Sequence, residues 1–164
     1  MNTIVESFNK IKSKINQLKP INPVNIVAVS KTFSLTHIKP LLDYGHIHYG
    51  ENKVQEAITK WSETKKNKKF VNLHMIGKLQ SNKAKDAIKI FDYIHSLDNQ
   101  KLADILARNE INLNKNLKYF IQVNIGNEFQ KSGIPASDLD AFYNYCSIEK
   151  NLDIIGLMII PPND

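Results

Sequence analysis

The stretch IVAVSKTFS, residues 26–34, is a run of apolar side chains that ends abruptly in an ammonium, Lys31. Its apolar part is continuous rather than alternating, the pattern of a strand covered on both faces, as in parallel sheets. A lysine at the end of such a strand is either a side chain that reaches out of the core or a charge held at the mouth of the sheet.

Outward from it the chain repeats one theme. Ile4, Val5, Phe8, Ile11, Ile15 and Leu18 fall at steps of three and four, which predicts an amphipathic helix over 3–18, stopped near Pro20. The strand over 24–31 leads to a short helix capped by Ser34 or Thr36 and ending before Gly45. HIHYG (46–50) reads as a second strand, and Val54, Ala57, Ile58 and Trp61 as the apolar stripe of the next helix. FVNLHMIG (70–77) is a third strand, with a helix from about Ser81 to Lys89, and FDYIHSL (91–97) a fourth. Asp98 is the expected cap of a helix carrying Leu102, Ile105 and Leu106. LKYFIQVNI (117–125) is a fifth strand. A helix near 136–149 is expected to bury Leu139, Phe142, Tyr143 and Cys146, and LDIIGLMII (152–160) is a sixth strand.

Strand and helix alternating over six units imply right-handed crossovers and a parallel sheet. An open doubly wound sheet and part of a (β/α)8 barrel both fit. In either, the working face lies beyond the carboxyl ends of the strands. The polar residues there are Lys31, Glu51 with Asn52, Gly77 with Lys78, Ser96 with Asp98, Asn124, and Pro161 with Pro162. Lys31 is therefore expected to point into the mouth. There it serves as a fixed charge for an anion or as an amine that condenses with an aldehyde. Spacing alone does not separate these uses from a lysine that merely reaches solvent.

Composition narrows the classes. With 164 residues, 42% of them hydrophobic, the chain is expected to form one domain with a real core. No apolar run is long enough for a bilayer, the N-terminus lacks the pattern of a secretory signal, and the lone Cys146 makes no internal disulfide. A cytoplasmic, membrane-free setting is expected. Lys and Arg outnumber Asp and Glu by 22 to 16, but the excess is dispersed apart from KKNKK at 65–69, read as a solvated loop. Nucleic acid is therefore not the expected partner. His46 and His48 share a strand face without a third ligand, so no metal site is expected.

VAVSKT (27–32), YGENKVQE (49–56), LHMIGKLQSNK (73–83), VNIGNEFQKSG (123–133) and GLMIIPP (156–162) occur in order along nearly the whole chain. Together they resemble the pyridoxal phosphate homeostasis protein family (YggS/PROSC). The resemblance implies the (β/α)8 barrel of the alanine racemase N-terminal-domain type, here incomplete at about six βα units. It implies a single partial barrel domain over 1–164 with the N-terminal helix at 3–18. It also implies pyridoxal 5′-phosphate bound as a Schiff base on Lys31, with Asn52 near the ring hydroxyl or imine and Lys131 as a second lysine near the cofactor. His74 and Met158 are candidates to line the ring, although a hydrogen-bonded core histidine is an equal reading of His74.

The role implied is that of a non-catalytic cofactor carrier, monomeric in the intact family, with apo pyridoxal-phosphate enzymes as recipients. The family pattern continues through two more strand–helix units that hold the phosphate and place an arginine at the pyridine nitrogen. The only arginine here is Arg108, in a helix. Weak cofactor retention, open sheet edges and apolar side chains of the barrel interior meeting water are therefore expected. A decayed or split gene product, acting at most as a binding module, is the alternative, and an amino-acid racemase is disfavoured for want of a second domain supplying a tyrosine.

Overall fold

In the computed structural model, which describes residues 3–68, 70–126 and 132–161, every strand pairing is parallel. Helix α1 (Thr3–Gln17) precedes β1 (Ala28–Val29), α2 (Leu35–Asp43), β2 (His48–Glu51) and α3 (Val54–Asn67). Then follow β3 (Asn72–Met75), a 3-10 turn at Ser81–Lys83 with α4 (Ala84–Ile90), β4 (Tyr93–Leu97) and α5 (Gln100–Leu113). The chain continues through β5 (Lys118–Asn124), β6 (Ile134–Pro135), α6 (Leu139–Asn144) and β7 (Asp153–Ile159). The sheet runs β1-β2-β3-β4-β5, with the short β6 and the longer β7 both pairing with β5. This sequential order is that of a barrel wall, and it removes the doubly wound alternative, whose strand order reverses at a switch point.

Register separates the two faces of the sheet. Tyr49 pairs with Leu73, and its ring packs 4.9 Å from that of Trp61 on α3, so this set faces the helices. Leu73, Met75, Ile94, Leu97, Tyr119, Ile121 and Val123 join the helix-side core with Leu102 and Leu106 of α5. Alternation then puts Gly50, His74, Phe120, Gln122 and Met158 on the inner face.

On β2 to β5 that inner face carries a row of rings. His48 Nδ1 lies 2.9 Å from His74 Nε2, and His74 Nδ1 lies 2.9 Å from His95 Nε2. The His74 ring stacks on Tyr93 and the His95 ring on Phe120. Burial holds all three imidazoles neutral, pulling His74 down to about 3 with help from its imidazole neighbours, His95 down to about 4, and His48 below its usual range.

Several boundaries differ from the sequence expectation. The strand expected over 24–31 pairs only at Ala28 and Val29, and Val29 is 49% exposed. It is an edge strand with one neighbour, so its apolar run is not covered on both faces. Helix α1 buries Val5, whereas Ile11 and Leu18 are exposed because only its first half meets the body of the protein. Of the two proposed caps of α2, Ser34 does the work, accepting from the His37 amide. Asn99 rather than Asp98 caps α5, its side chain accepting from the Leu102 amide, while Asp98 accepts from the Asn99 side chain. The helix expected over 136–149 breaks into a 3-10 turn, α6 and a π-helical turn, which leaves Tyr143 45% exposed. Lys65 and Lys66 of the expected loop belong to the last turn of α3, where Lys65 Nζ donates to Asp92 Oδ2 at 2.5 Å.

The apolar exposure expected inside the barrel is present at Val29, which pairs with inner-face Gly50 and is 49% exposed, and it occurs on the outside of β7 as well. Leu157 and Ile159 pair with the core residues Ile121 and Val123, yet they are 51% and 50% exposed because no described helix covers them. Inner-face Met158 is half-buried.

Two outcomes follow from these faces. Each buried imidazole takes up its proton near pH 6.5 in the unfolded chain and far lower in the fold. The histidines' contribution to stability is therefore full above pH 6.5 and falls as pH drops toward 4, by up to about 1.4 kcal/mol per pH unit for His74 and less for half-buried His95. Urea midpoints at about pH 7.5 and about pH 5 measure this, and His74→Phe flattens the slope. Replacing Leu157 and Ile159 with lysine shifts stability by less than about 0.5 kcal/mol each and lowers self-association at high concentration, read by light scattering.

Candidate functional site

The carboxyl ends of β1 and β2 are joined by a buried carboxylate. Glu51 is fully buried, and its Oε1 accepts from Ser30 Oγ at 2.7 Å, Lys60 Nζ at 2.9 Å and Trp61 Nε1 at 3.0 Å. Lys60 Nζ donates a second time, to the Ser30 carbonyl at 2.8 Å. A carboxylate removed from water needs this degree of pairing to stay charged. Its other oxygen, Oε2, is buried without a partner. Lys31 comes next in the chain, in an exposed turn closed by the Phe33 amide donating to the Ser30 carbonyl at 3.2 Å. Thr32 in that turn has φ +67°.

Asn52 follows Glu51 on the same rim. It is half-buried, and its Oδ1 is fully enclosed with no hydrogen bond. The end of β3 presses directly on it, since a Cβ on Gly77 would lie 2.5 Å from the Asn52 carbonyl oxygen and 2.8 Å from its Cβ. Only glycine permits that approach. Two cavities open beside this contact. One, of about 250 Å³, is bounded by Ile76, Gly77, Lys78, Gln122, Asn124 and Met158. The other, of about 390 Å³, is bounded by Asn52, Lys53, Lys78 and Lys83 among others. Lys78 borders both.

The structure brings some of the expected residues together and separates others. Met158 and Asn52 lie on these two adjoining cavities. Lys31 lines neither, but its turn is tied to the residue before Asn52 through Ser30 and Glu51. His74 lines neither cavity and spends both ring nitrogens on His48 and His95, so here it acts as a core histidine. Lys131 lies outside the described residues. Lys60 carries no signal in the sequence, falling beside the Trp61 stripe like any helix-surface lysine. Glu51 could have drawn attention, because an acid on a short strand followed by a helix must find a buried cation.

The sequence model of the alanine racemase N-terminal domain family matches residues 7–163. The chain is 34% identical to the pyridoxal phosphate homeostasis protein of Buchnera aphidicola over 98% of its own length and 72% of the relative's. This chain belongs to the pyridoxal phosphate homeostasis protein family. The Synechocystis member is 37% identical over 85% of the chain and 63% of its own length. PipY of Synechococcus elongatus superposes with a TM-score of 0.79 at 37% identity, covering 92% of this chain and 70% of PipY, and with 0.77 in its PLP-bound form. The chain thus spans between 63% and 72% of the length of these family members. They carry the name or the fold of homeostasis proteins, and the fold class expected from the sequence stands.

Gly77→Ala tests the rim directly. The added methyl must displace the Asn52 backbone, so crystallography or amide chemical shifts report movement centred on 51–53. Stability falls by about 1–3 kcal/mol, measured by urea unfolding.

Proposed function

We propose that this chain binds pyridoxal 5′-phosphate in the cytoplasm and holds it for transfer to apo-enzymes, without turning over a substrate. The observation that carries the reading is the rim itself, where an exposed lysine, Lys31, follows one residue after a buried clamp that also fixes the start of Asn52. Bound pyridoxal phosphate supplies an aldehyde carbon with which an unprotonated lysine amine condenses, releasing water. The residues present fit that group. Asn52 offers an enclosed oxygen with an unused hydrogen-bonding position, Gly77 keeps the space beside it open, and Lys78 brings positive charge to both cavities.

Lys31 supplies the amine, Asn52 orients a polar group at the rim, and Met158 offers an apolar, polarisable wall. Lys131 is assigned a second amine role by its family motif alone. The exposure of Lys31 suits a carrier, since a recipient's own lysine or water can reach the same carbon. The described residues that border the two cavities include no histidine, tyrosine, aspartate or glutamate, which favours a carrier over a racemase needing an acid and a base on opposite faces. No helix among the described residues is long and apolar enough to cross a membrane.

Incubation with pyridoxal phosphate, borohydride reduction and peptide mass spectrometry test the reading. The expected result is an adduct on Lys31, lost in Lys31→Ala with folding intact. A folded protein that takes no adduct at Lys31 overturns it.

A further inference from the structure

We propose that the buried pair Lys60–Glu51 is a positioning device for Lys31, gripping Ser30 from behind so that the turn carrying the amine is held in one conformation. For its chemical part the inference rests on the reading of Lys31 given above.

Three observations converge on it. First, the pair is costly as a purely structural element. Glu51 is fully buried and the Lys60 side chain is only 13% exposed, and an apolar pair of similar volume at such a place is often neutral or stabilising. Second, the hydrogen bonds are aimed. All three donors reach Oε1, while Oε2 reaches none, so the carboxylate is turned toward Ser30 rather than shared evenly with its surroundings. The Ser30 hydroxyl and carbonyl are both engaged, the first by Glu51 and the second by Lys60.

Third, the turn itself needs holding. Lys31 and Thr32 are its central residues, and Thr32 is a β-branched residue in left-handed backbone, where glycine or asparagine would rest easily. Such a conformation persists only when its surroundings over-determine it. The Ser30 carbonyl that closes the turn is the atom Lys60 grips. Because Glu51 also precedes Asn52, the amine and the amide of the rim are referenced to one fixed carboxylate. Condensation joins the Lys31 nitrogen to the aldehyde carbon as the oxygen leaves in water, and its rate depends on how narrowly the amine is placed.

The paired variant Glu51→Gln with Lys60→Met removes both charges while keeping their volume. Two readouts are taken beside the melting temperature: amide hydrogen exchange at Phe33, and the rate of borohydride-fixed adduct formation on Lys31. The expected result is a preserved melting transition with Phe33 exchange about tenfold faster and adduct formation about tenfold slower. Lys60→Arg, which keeps the donor and the charge, restores both readouts to within about threefold of the starting protein. Wild-type exchange and rate in the paired variant overturn the inference. If that variant does not fold, Ser30→Ala removes only the hydroxyl contact, and unchanged values in it overturn the inference equally. Faster exchange confined to the 30–33 turn, in a protein whose unaltered form takes no adduct, upholds the clamp and sinks the cofactor reading of Lys31 instead.

Discussion

A parallel sheet must be covered on both faces, and nearly every feature of this chain is an answer to that constraint. The outer face is covered by helices α2 to α6, whose stripes meet Tyr49, Leu73, Ile94 and Ile121. The inner face has no helices to meet, and along β2 to β5 the sequence lines it with imidazole, phenol and benzyl rings that pack on one another. Where the covering stops, at the outer side of β7, apolar side chains stand in water.

The same constraint explains where chemistry is possible. Polar groups are tolerated at the strand ends because the sheet opens there, and the chain concentrates them at that level. Ser30, Glu51, Asn52, Gln122 and Asn124 fall within two residues of a strand terminus, and Lys78 lies three beyond the end of β3. What distinguishes the β1–β2 corner from the rest is that its polar groups are buried and mutually fixed. The β3–β5–β7 corner is instead an open cavity, flanked among the described residues by one lysine, Lys78. One corner is tied together by buried hydrogen bonds and the other is roomy.

Much of this was legible in the sequence. The alternation of apolar runs and amphipathic stripes placed six strands and the helices between them to within a few residues, since periodicity reports which face is covered. The strand-end residues were legible for the same reason. What stayed hidden was of two kinds. Pairings decided by distance in space, such as Lys60 with Glu51 or Lys65 with Asp92, leave no local pattern. Neither does coverage: Val29 and Leu157 look as buried as Val123 until the number of neighbouring elements is known. The two-residue strand β6 has no signature in the sequence because two residues are too few to show a period, and only their pairing with Val123 and Asn124 of β5 defines them. Asp98 and Asn99 were misordered as caps because adjacent Asx residues are equivalent in sequence and only the backbone chooses between them.

The histidine row has a property that no single member has. A neutral imidazole owns one N–H, and each of the two N···N contacts consumes one proton. If His48 Nδ1 donates, then His74 must carry its proton on Nδ1 and donate onward to His95. If His95 Nε2 donates, every bond reverses. The three residues therefore share a single binary polarity, and the middle ring cannot change tautomer without its neighbours. Removing that ring would leave His48 and His95 packed on their aromatic neighbours, each free to choose its own tautomer.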